Sequence, residues 1–138
     1  MSVLRLPLTI RLIFIGGIAD SIPVRFFESI GCTRNIAVLT QHKGYQKTEN
    51  KTMPLVKLKY RKYPKLIETM ARRHTDYNET LAYIEEQEKR GKLLVIRPES
   101  KLPVTRVEKD PEKLREEYEI GRRTAEQCLS EILAYLRA

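Results

Sequence analysis

The chain has 138 residues, of which 41% are hydrophobic and 32% are charged, and its formal net charge at pH 7 is +8. This length fits one globular domain with a single core, and the composition excludes an intrinsically disordered chain. The two cysteines, Cys32 and Cys128, match no metal-binding or redox spacing. They predict buried free thiols and a cytoplasmic protein.

The first predicted element is a strand, preceded by an irregular leader. Arg5 and Arg11 interrupt the apolar run of the first 15 residues, and Pro7 interrupts any helix there. The continuous apolar part is therefore shorter than the ~20 residues that a membrane span needs. We expect the strand to end at Ile15.

A double glycine, a short helix and a second strand follow. Gly16 and Gly17 predict a tight turn after the first strand. A short amphipathic stretch that ends before a glycine predicts a helix over residues 24–30, and the run "NIAVLT" predicts a buried strand over residues 35–40. The strand, helix and strand together predict a βαβ unit, followed by a polar surface loop.

The rest of the chain predicts helices around one further strand. Pro54 and Pro64 mark the starts of predicted helices over residues 54–62 and 64–73. Helical spacing of apolar residues predicts a third helix over residues 75–91, and "LLVIRP" predicts a strand over residues 93–98. Asp110, followed by a proline, predicts the N-cap of a long helix that runs to the C-terminus. Because apolar residues line one face of that helix, we expect the face to lie on the core.

All of the excess positive charge lies in one stretch. Between Lys43 and Arg73 there are ten basic and two acidic residues, whereas basic and acidic residues cancel elsewhere. This imbalance predicts attraction to an anionic surface, with a solvated helical face as the alternative. Nucleic acid is the weaker choice of partner, since no nucleic-acid-binding motif accompanies the charge. The residues predicted to bind the anionic surface are Lys57, Lys59, Arg61, Lys62, Lys65, Arg72 and Arg73.

Catalytic motifs are missing from the sequence. It contains no Gly-x-Ser-x-Gly, no glycine-rich phosphate loop, no HExxH and no clustered metal ligands. Asp20 is the carboxylate nearest the double glycine, where it could act as a general base or as the N-terminal cap of the segment 21–30. We favour the cap. His42 and His74 are isolated and are expected in a loop and a packing position. We predict no metal and no cofactor.

Four segments, in this order, resemble the C-terminal part of bacterial patatin-like phospholipases with its helical extension. They are "GGIADSIPV", "NIAVLTQHKGYQK", "YRKYPKLIETMARRHTDYNETLAYIEEQEKRGKLLVIRPES" and "VTRVEKDPEKLREEYEIG". The resemblance covers about nine tenths of the chain, from Ile13 onward. It implies a partial three-layer α/β/α fold with about three mostly parallel strands and packed helices. It also implies hydrolysis of lipid acyl esters.

That family is similar to hydrolases with a Ser-Asp dyad, in which the serine lies in a Gly-x-Ser-x-Gly elbow and the aspartate in an Asp-Gly-Gly motif. Gly16 and Gly17 match the two glycines of this motif, and Ile15 occupies the position of the aspartate. An isoleucine side chain cannot accept a proton. Asp20 is the one candidate substitute, although the resemblance places it beside the catalytic aspartate rather than at its position.

The resemblance predicts the organisation and activity of the chain. Residues 1–53 are expected to be the C-terminal βαβ portion of a patatin-like domain. Residues 54–138 are expected to be a helical extension with an added strand at 92–97, packed as one unit with the first portion. Because the serine elbow and oxyanion loop have no counterpart, we expect a truncated or split copy of a lipid acyl hydrolase that is inactive alone.

The alternative function is a non-catalytic module that binds an anionic membrane or another protein. The predicted partners are a lipid or anionic membrane surface, a second copy of the chain, or a complementing N-terminal half. We expect the protein to be cytoplasmic, with a peripheral place at the membrane.

Overall fold

The described part of the chain is mostly helical. A computed structural model describes residues 16–105 and 107–137. Helices hold 57% of these residues and strands hold 7%. The elements in chain order are a 3₁₀ turn at Gly16–Ile18, α1 at Val24–Ser29, β1 at Asn35–Val38, α2 at Met53–Lys59, α3 at Pro64–Lys89, β2 at Leu93–Ile96 and α4 at Pro111–Arg137.

The sheet contradicts the predicted fold class. In the described ranges it consists of β1 and β2, which pair in parallel with Asn35 opposite Leu93 and Val38 opposite Ile96. The predicted α/β class, with a three-layer α/β/α arrangement and about three strands, is therefore wrong. Two four-residue strands present too little surface to carry a helical layer on each face. The strand predicted to end at Ile15 lies outside the described residues.

The core joins α1, both strands and the second half of α3. Ile84 on α3 has no exposed surface, and it packs with residues from the strands and from the first turn of α1. Partly buried tyrosines close the edges of this cluster. The buried apolar residues of the core are Val24, Ala37, Leu39, Leu81, Ile84 and Leu93.

The helices predicted over 64–73 and 75–91 form one continuous helix, α3. Pro64 lies in its first turn, where a missing backbone N–H does no harm, and no further proline or glycine follows before residue 91. Nothing in the sequence therefore breaks the helix near residue 74. It ends at Lys89, two residues before Gly91, whose φ of 69° suits glycine.

The last helix, α4, forms where the sequence predicts it, but its apolar face is not buried as predicted. The Glu112 backbone N–H donates to Asp110 Oδ1 at 3.0 Å, which confirms the predicted cap. None of the described residues of α4 is buried, so the prediction that its apolar face lies on the core is wrong. Its C-terminal end is attached by hydrogen bonds, since the Tyr135 hydroxyl donates to the Lys92 carbonyl at 2.8 Å.

The predicted burial of both cysteines is also wrong. Cys32 is exposed and Cys128 on α4 is only half-buried, although both are free thiols as predicted. Cys32 follows α1 at the surface, and Cys128 lies on a helix that buries none of its described residues.

Candidate functional site

The double-glycine turn is fastened to α3 by an arginine. Ser21 Oγ donates to the Gly17 carbonyl at 2.7 Å, and Arg73 Nη2 donates to the same carbonyl at 3.1 Å and to Ser21 Oγ at 3.4 Å. The hydroxyl hydrogen of Ser21 therefore goes to a backbone carbonyl and not to a base. Ile15, the residue at the dyad position of the resemblance, lies outside the described residues.

Asp20 is exposed and contacts the backbone of its own turn. Its Oδ1 accepts a hydrogen bond from the Ile22 backbone N–H at 3.2 Å. Helix α1 begins two residues later, at Val24, and Pro23 holds its N-cap position without a side-chain cap. Asp20 therefore caps the start of the segment 21–30, for which the cap was predicted, through the Ile22 N–H, but it makes no cap to α1 itself, which begins at Val24. A catalytic role for Asp20 stays a prediction.

A basic and apolar surface lies on α2 and the turn after it; we call residues 55–65 the α2 surface. Leu55 and Leu58 are 69% and 72% exposed, and they lie on the same side of α2 because they are three residues apart. The other side, with Val56 and Tyr60, is half-buried against the start of α3. Leu55 and Leu58 of the α2 surface therefore face solvent.

Six of the seven residues predicted to bind an anionic surface are exposed. Five of them belong to the α2 surface, namely Lys57, Lys59, Arg61, Lys62 and Lys65. Arg72 lies two turns further along α3, where its Nη2 is 3.6 Å from Asp76 Oδ1. Arg73 is half-buried and bonded to the Gly17 carbonyl, so it belongs to a different site.

A polar cleft of about 820 Å³ opens beyond the carboxyl ends of β1 and β2; we call it the strand-end cleft. Arg73 and His74 of α3 line it, together with Lys47 from the loop after β1 and Lys101 from the segment after β2. Ligands of open α/β sheets bind in this position relative to the strands. Sequence reasoning did not find this cleft, and the polar loop after β1 was the one signal for it.

The loop that carries Lys47 is held against α3. The Lys47 backbone N–H donates to Asn78 Oδ1 at 2.8 Å, and Asn78 Nδ2 donates to the Lys47 carbonyl at 3.0 Å. Lys47 Nζ also lies 4.7 Å from the centre of the Tyr77 ring, and burial raises the pKa of Tyr77. These contacts fix one wall of the strand-end cleft.

The described ranges contain neither a metal site nor a helix that could span a membrane. Within residues 16–105 and 107–137, no three histidine, cysteine, aspartate or glutamate side chains are grouped so that they could hold a metal ion. In the same ranges, no helix combines the length and the apolar character that crossing a bilayer requires.

Comparison with known proteins assigns the chain to a family. No curated protein and no solved structure matches the chain. The family described as "Domain of unknown function (DUF6363)" matches residues 63–137, which include all of α3, β2 and α4. This match covers more than half of the 138 residues, and the chain belongs to that family.

Proposed function

We propose that the chain is a non-catalytic module that binds anionic membranes peripherally through the α2 surface. One observation carries the proposal: two exposed leucines, Leu55 and Leu58, project from a short helix whose neighbouring residues include five exposed cations. Apolar side chains among basic ones are typical of helices that lie in the membrane interface.

The two kinds of side chain would act together. Each lysine or arginine near an anionic bilayer contributes about 1 kcal/mol, and long basic side chains can reach headgroups while their stems cover apolar surface. Burial of a leucine side chain contributes about 1.5–3 kcal/mol when it is complete. Since α2 has only seven residues, we expect shallow insertion of its leucines and attraction that depends on charge.

The contacts of the double-glycine turn favour a module without catalytic activity of its own. Ser21 donates to a carbonyl and Asp20 accepts from a backbone amide, so neither is arranged as part of a nucleophile and base pair. The resemblance to patatin-like phospholipases supports a lipid surface as the partner, because those enzymes act on lipid esters. Under this proposal the module would bring an acyl hydrolase to its membrane rather than hydrolyse lipid itself.

Vesicle sedimentation tests the proposal. We expect the chain to sediment with vesicles of phosphatidylcholine mixed with phosphatidylglycerol, to stay in solution with phosphatidylcholine alone, and to be released by high salt. The double variant Leu55→Ala with Leu58→Ala should lose most of this binding. The matched control is Leu129→Ala with Leu136→Ala, which removes two leucines of α4 that are 53% and 57% exposed.

Two results would overturn the proposal. Equal sedimentation with both kinds of vesicle would show that anionic lipid is not recognised. Equal loss of binding in the α2 and α4 variants would show that the α2 surface has no special part in it. Sedimentation of the chain without vesicles would instead indicate association between copies.

A further inference from the structure

The strand-end cleft is a second polar site, separate from the α2 surface. Its walls come mainly from the loop after β1, the segment after β2 and the side of α3, and Ile18 of the 3₁₀ turn also lines it. A single residue of α4, Glu117, also reaches it. The cleft is therefore assembled by the fold and is not a local feature of one loop.

The lining combines cations and hydrogen-bond donors with apolar side chains such as Met70 and Leu102. Lys47, Arg73 and Lys101 are cationic, whereas Glu117 is the one carboxylate among the lining residues that the structure describes. His74 adds a ring whose Nε2 faces Glu49 Oε1 at 3.7 Å. Further hydrogen-bond donors come from hydroxyl and amide side chains, which include Thr40, Gln41, Thr48 and Asn50. This set of groups suits an anion that has several oxygen atoms.

Arg73 is the residue that points most directly to a ligand. Its Nη2 is used by the Gly17 carbonyl and Ser21 Oγ, which fixes the guanidinium in place. Its Nε is buried and has no hydrogen-bond acceptor in the part of the chain that the structure describes. A buried donor on a charged group without an acceptor is unfavourable, and an oxygen of a bound anion would relieve this if it accepted the Nε–H itself.

From this geometry we infer that the strand-end cleft binds a phosphate group, with Arg73 and Lys101 as its cationic contacts. Phosphate offers several acceptor oxygens to the lysines, the guanidinium and the surrounding hydroxyls at once. The group could belong to a free phosphate monoester or to a phospholipid headgroup. This inference does not depend on membrane binding by the α2 surface.

Titration with inorganic phosphate tests the site. In ¹H–¹⁵N correlation spectra, phosphate should shift the signals of residues 47–50, 73–74 and 101–105 in a saturable way, whereas sodium chloride at equal ionic strength should not. Lys101→Gln removes an exposed cation of a loop and should weaken the affinity about tenfold. Lys89→Gln, at the far end of α3, is the matched control and should leave the affinity unchanged.

Arg73→Gln should weaken phosphate binding more than Lys101→Gln does. Because Arg73 also holds the double-glycine turn, its variant is interpreted only if its spectrum keeps the dispersion of the folded chain. Lys101→Gln keeps the inference testable in either case. Chloride shifts that match those of phosphate, or equal affinities of Lys101→Gln and Lys89→Gln, would overturn the inference.

Two further probes distinguish the sources of the phosphate. Glycerol 3-phosphate represents a free monoester, and dihexanoyl phosphatidylglycerol below its micelle concentration represents a headgroup diester. Saturable shifts with either probe support the site, and the tighter probe identifies the source. Absence of shifts with both probes and with inorganic phosphate would contradict it. The Leu55→Ala with Leu58→Ala variant should bind phosphate normally, which separates failure of this inference from failure of membrane binding.

Discussion

Apolar side chains are exposed on helix α2 and buried on the second half of α3. On α3, Leu81 and Ile84 are 9% and 0% exposed, because β1, β2 and α1 surround them. On α2, Leu55 and Leu58 are 69% and 72% exposed, because this helix packs only through its opposite side. Apolar residues at helical spacing therefore contribute to the core in one helix and leave an unpaired surface in the other.

The largest expected loss of stability is in the core, at the buried residues of α3. Ile84→Ala removes the most buried side chain and leaves a cavity beneath α3, so the free energy of unfolding should fall by about 2–5 kcal/mol. Urea denaturation followed by circular dichroism measures the change. A loss below about 1 kcal/mol would show that α3 does not rest on the sheet as described.

A smaller loss of stability is expected at the ion pairs that join α3 to the segment after β2. Arg97 is mostly buried and pairs with Glu85 and Glu88 of α3. Arg97→Ala leaves both carboxylates without this cation and should lower the free energy of unfolding by about 1–3 kcal/mol. Arg122→Ala removes an exposed ion pair of α4 and is the control, with an expected change below about 0.5 kcal/mol. Equal losses of stability in Arg97→Ala and Arg122→Ala would show that the ion pairs of Arg97 do not hold α3 to the segment after β2.

The contact between α3 and α1 predicts a pH effect. The Tyr83 hydroxyl donates to Glu28 Oε2 at 2.5 Å, and this hydrogen bond raises the pKa of Tyr83. A raised tyrosine pKa gives stability that is fully present below the unfolded value near 10 and is lost as the pH rises through the folded value. Tyr83→Phe should cost about 0.5–1.5 kcal/mol at pH 7.

The dependence of stability on pH above 9 tests the hydrogen bond between Tyr83 and Glu28. Urea denaturation at a series of pH values above 9 should show a steeper loss of stability in the unchanged chain than in Tyr83→Phe. Tyr77, whose pKa is raised mainly by burial, remains in both proteins and contributes to the slope that is left. Parallel profiles would show that Tyr83 and Glu28 do not interact.

The smallest effect on stability is expected on α2. Leu55→Ala with Leu58→Ala truncates two leucine side chains, whereas Ile84→Ala truncates one isoleucine, yet the free energy of unfolding should change by less than about 0.5 kcal/mol per site. Urea denaturation beside Ile84→Ala gives the comparison directly. A loss close to that of Ile84→Ala would mean that the α2 surface is part of the fold and is not available to a membrane.

In the described ranges, local signals in the sequence predicted where β1, β2 and α4 lie and divided α3 into two helices, but they did not predict the packing. Gly31 and Gly91 both have positive φ and end helices where the sequence placed those ends, and Asp110 caps α4 as expected. The burial of α4 was predicted wrongly, because an apolar stripe shows that a helix is amphipathic but not what covers it. The three-layer fold came from the resemblance and not from any count of strand residues.

Of the two candidate sites, local sequence predicted the α2 surface but not the strand-end cleft. Charge and sequence spacing predicted the exposed cations of the α2 surface, since residues 57–65 form one short continuous segment. The inward position of Arg73 could not be predicted, because its partner Gly17 lies 56 residues away in the chain. The strand-end cleft was missed for the same reason, as its walls meet only after β1 and β2 pair.

The central claim, that the leucines of α2 enter an anionic membrane, can be measured with one reporter. The chain contains no tryptophan, so Leu58→Trp introduces a single tryptophan on the α2 surface, which can be excited selectively over the tyrosines, and Leu136→Trp places one on exposed α4 as the control. On vesicles that contain phosphatidylglycerol, the emission of Leu58→Trp should shift to shorter wavelength, and high salt should reverse the shift. An unchanged spectrum, or an equal shift in Leu136→Trp, would contradict the claim.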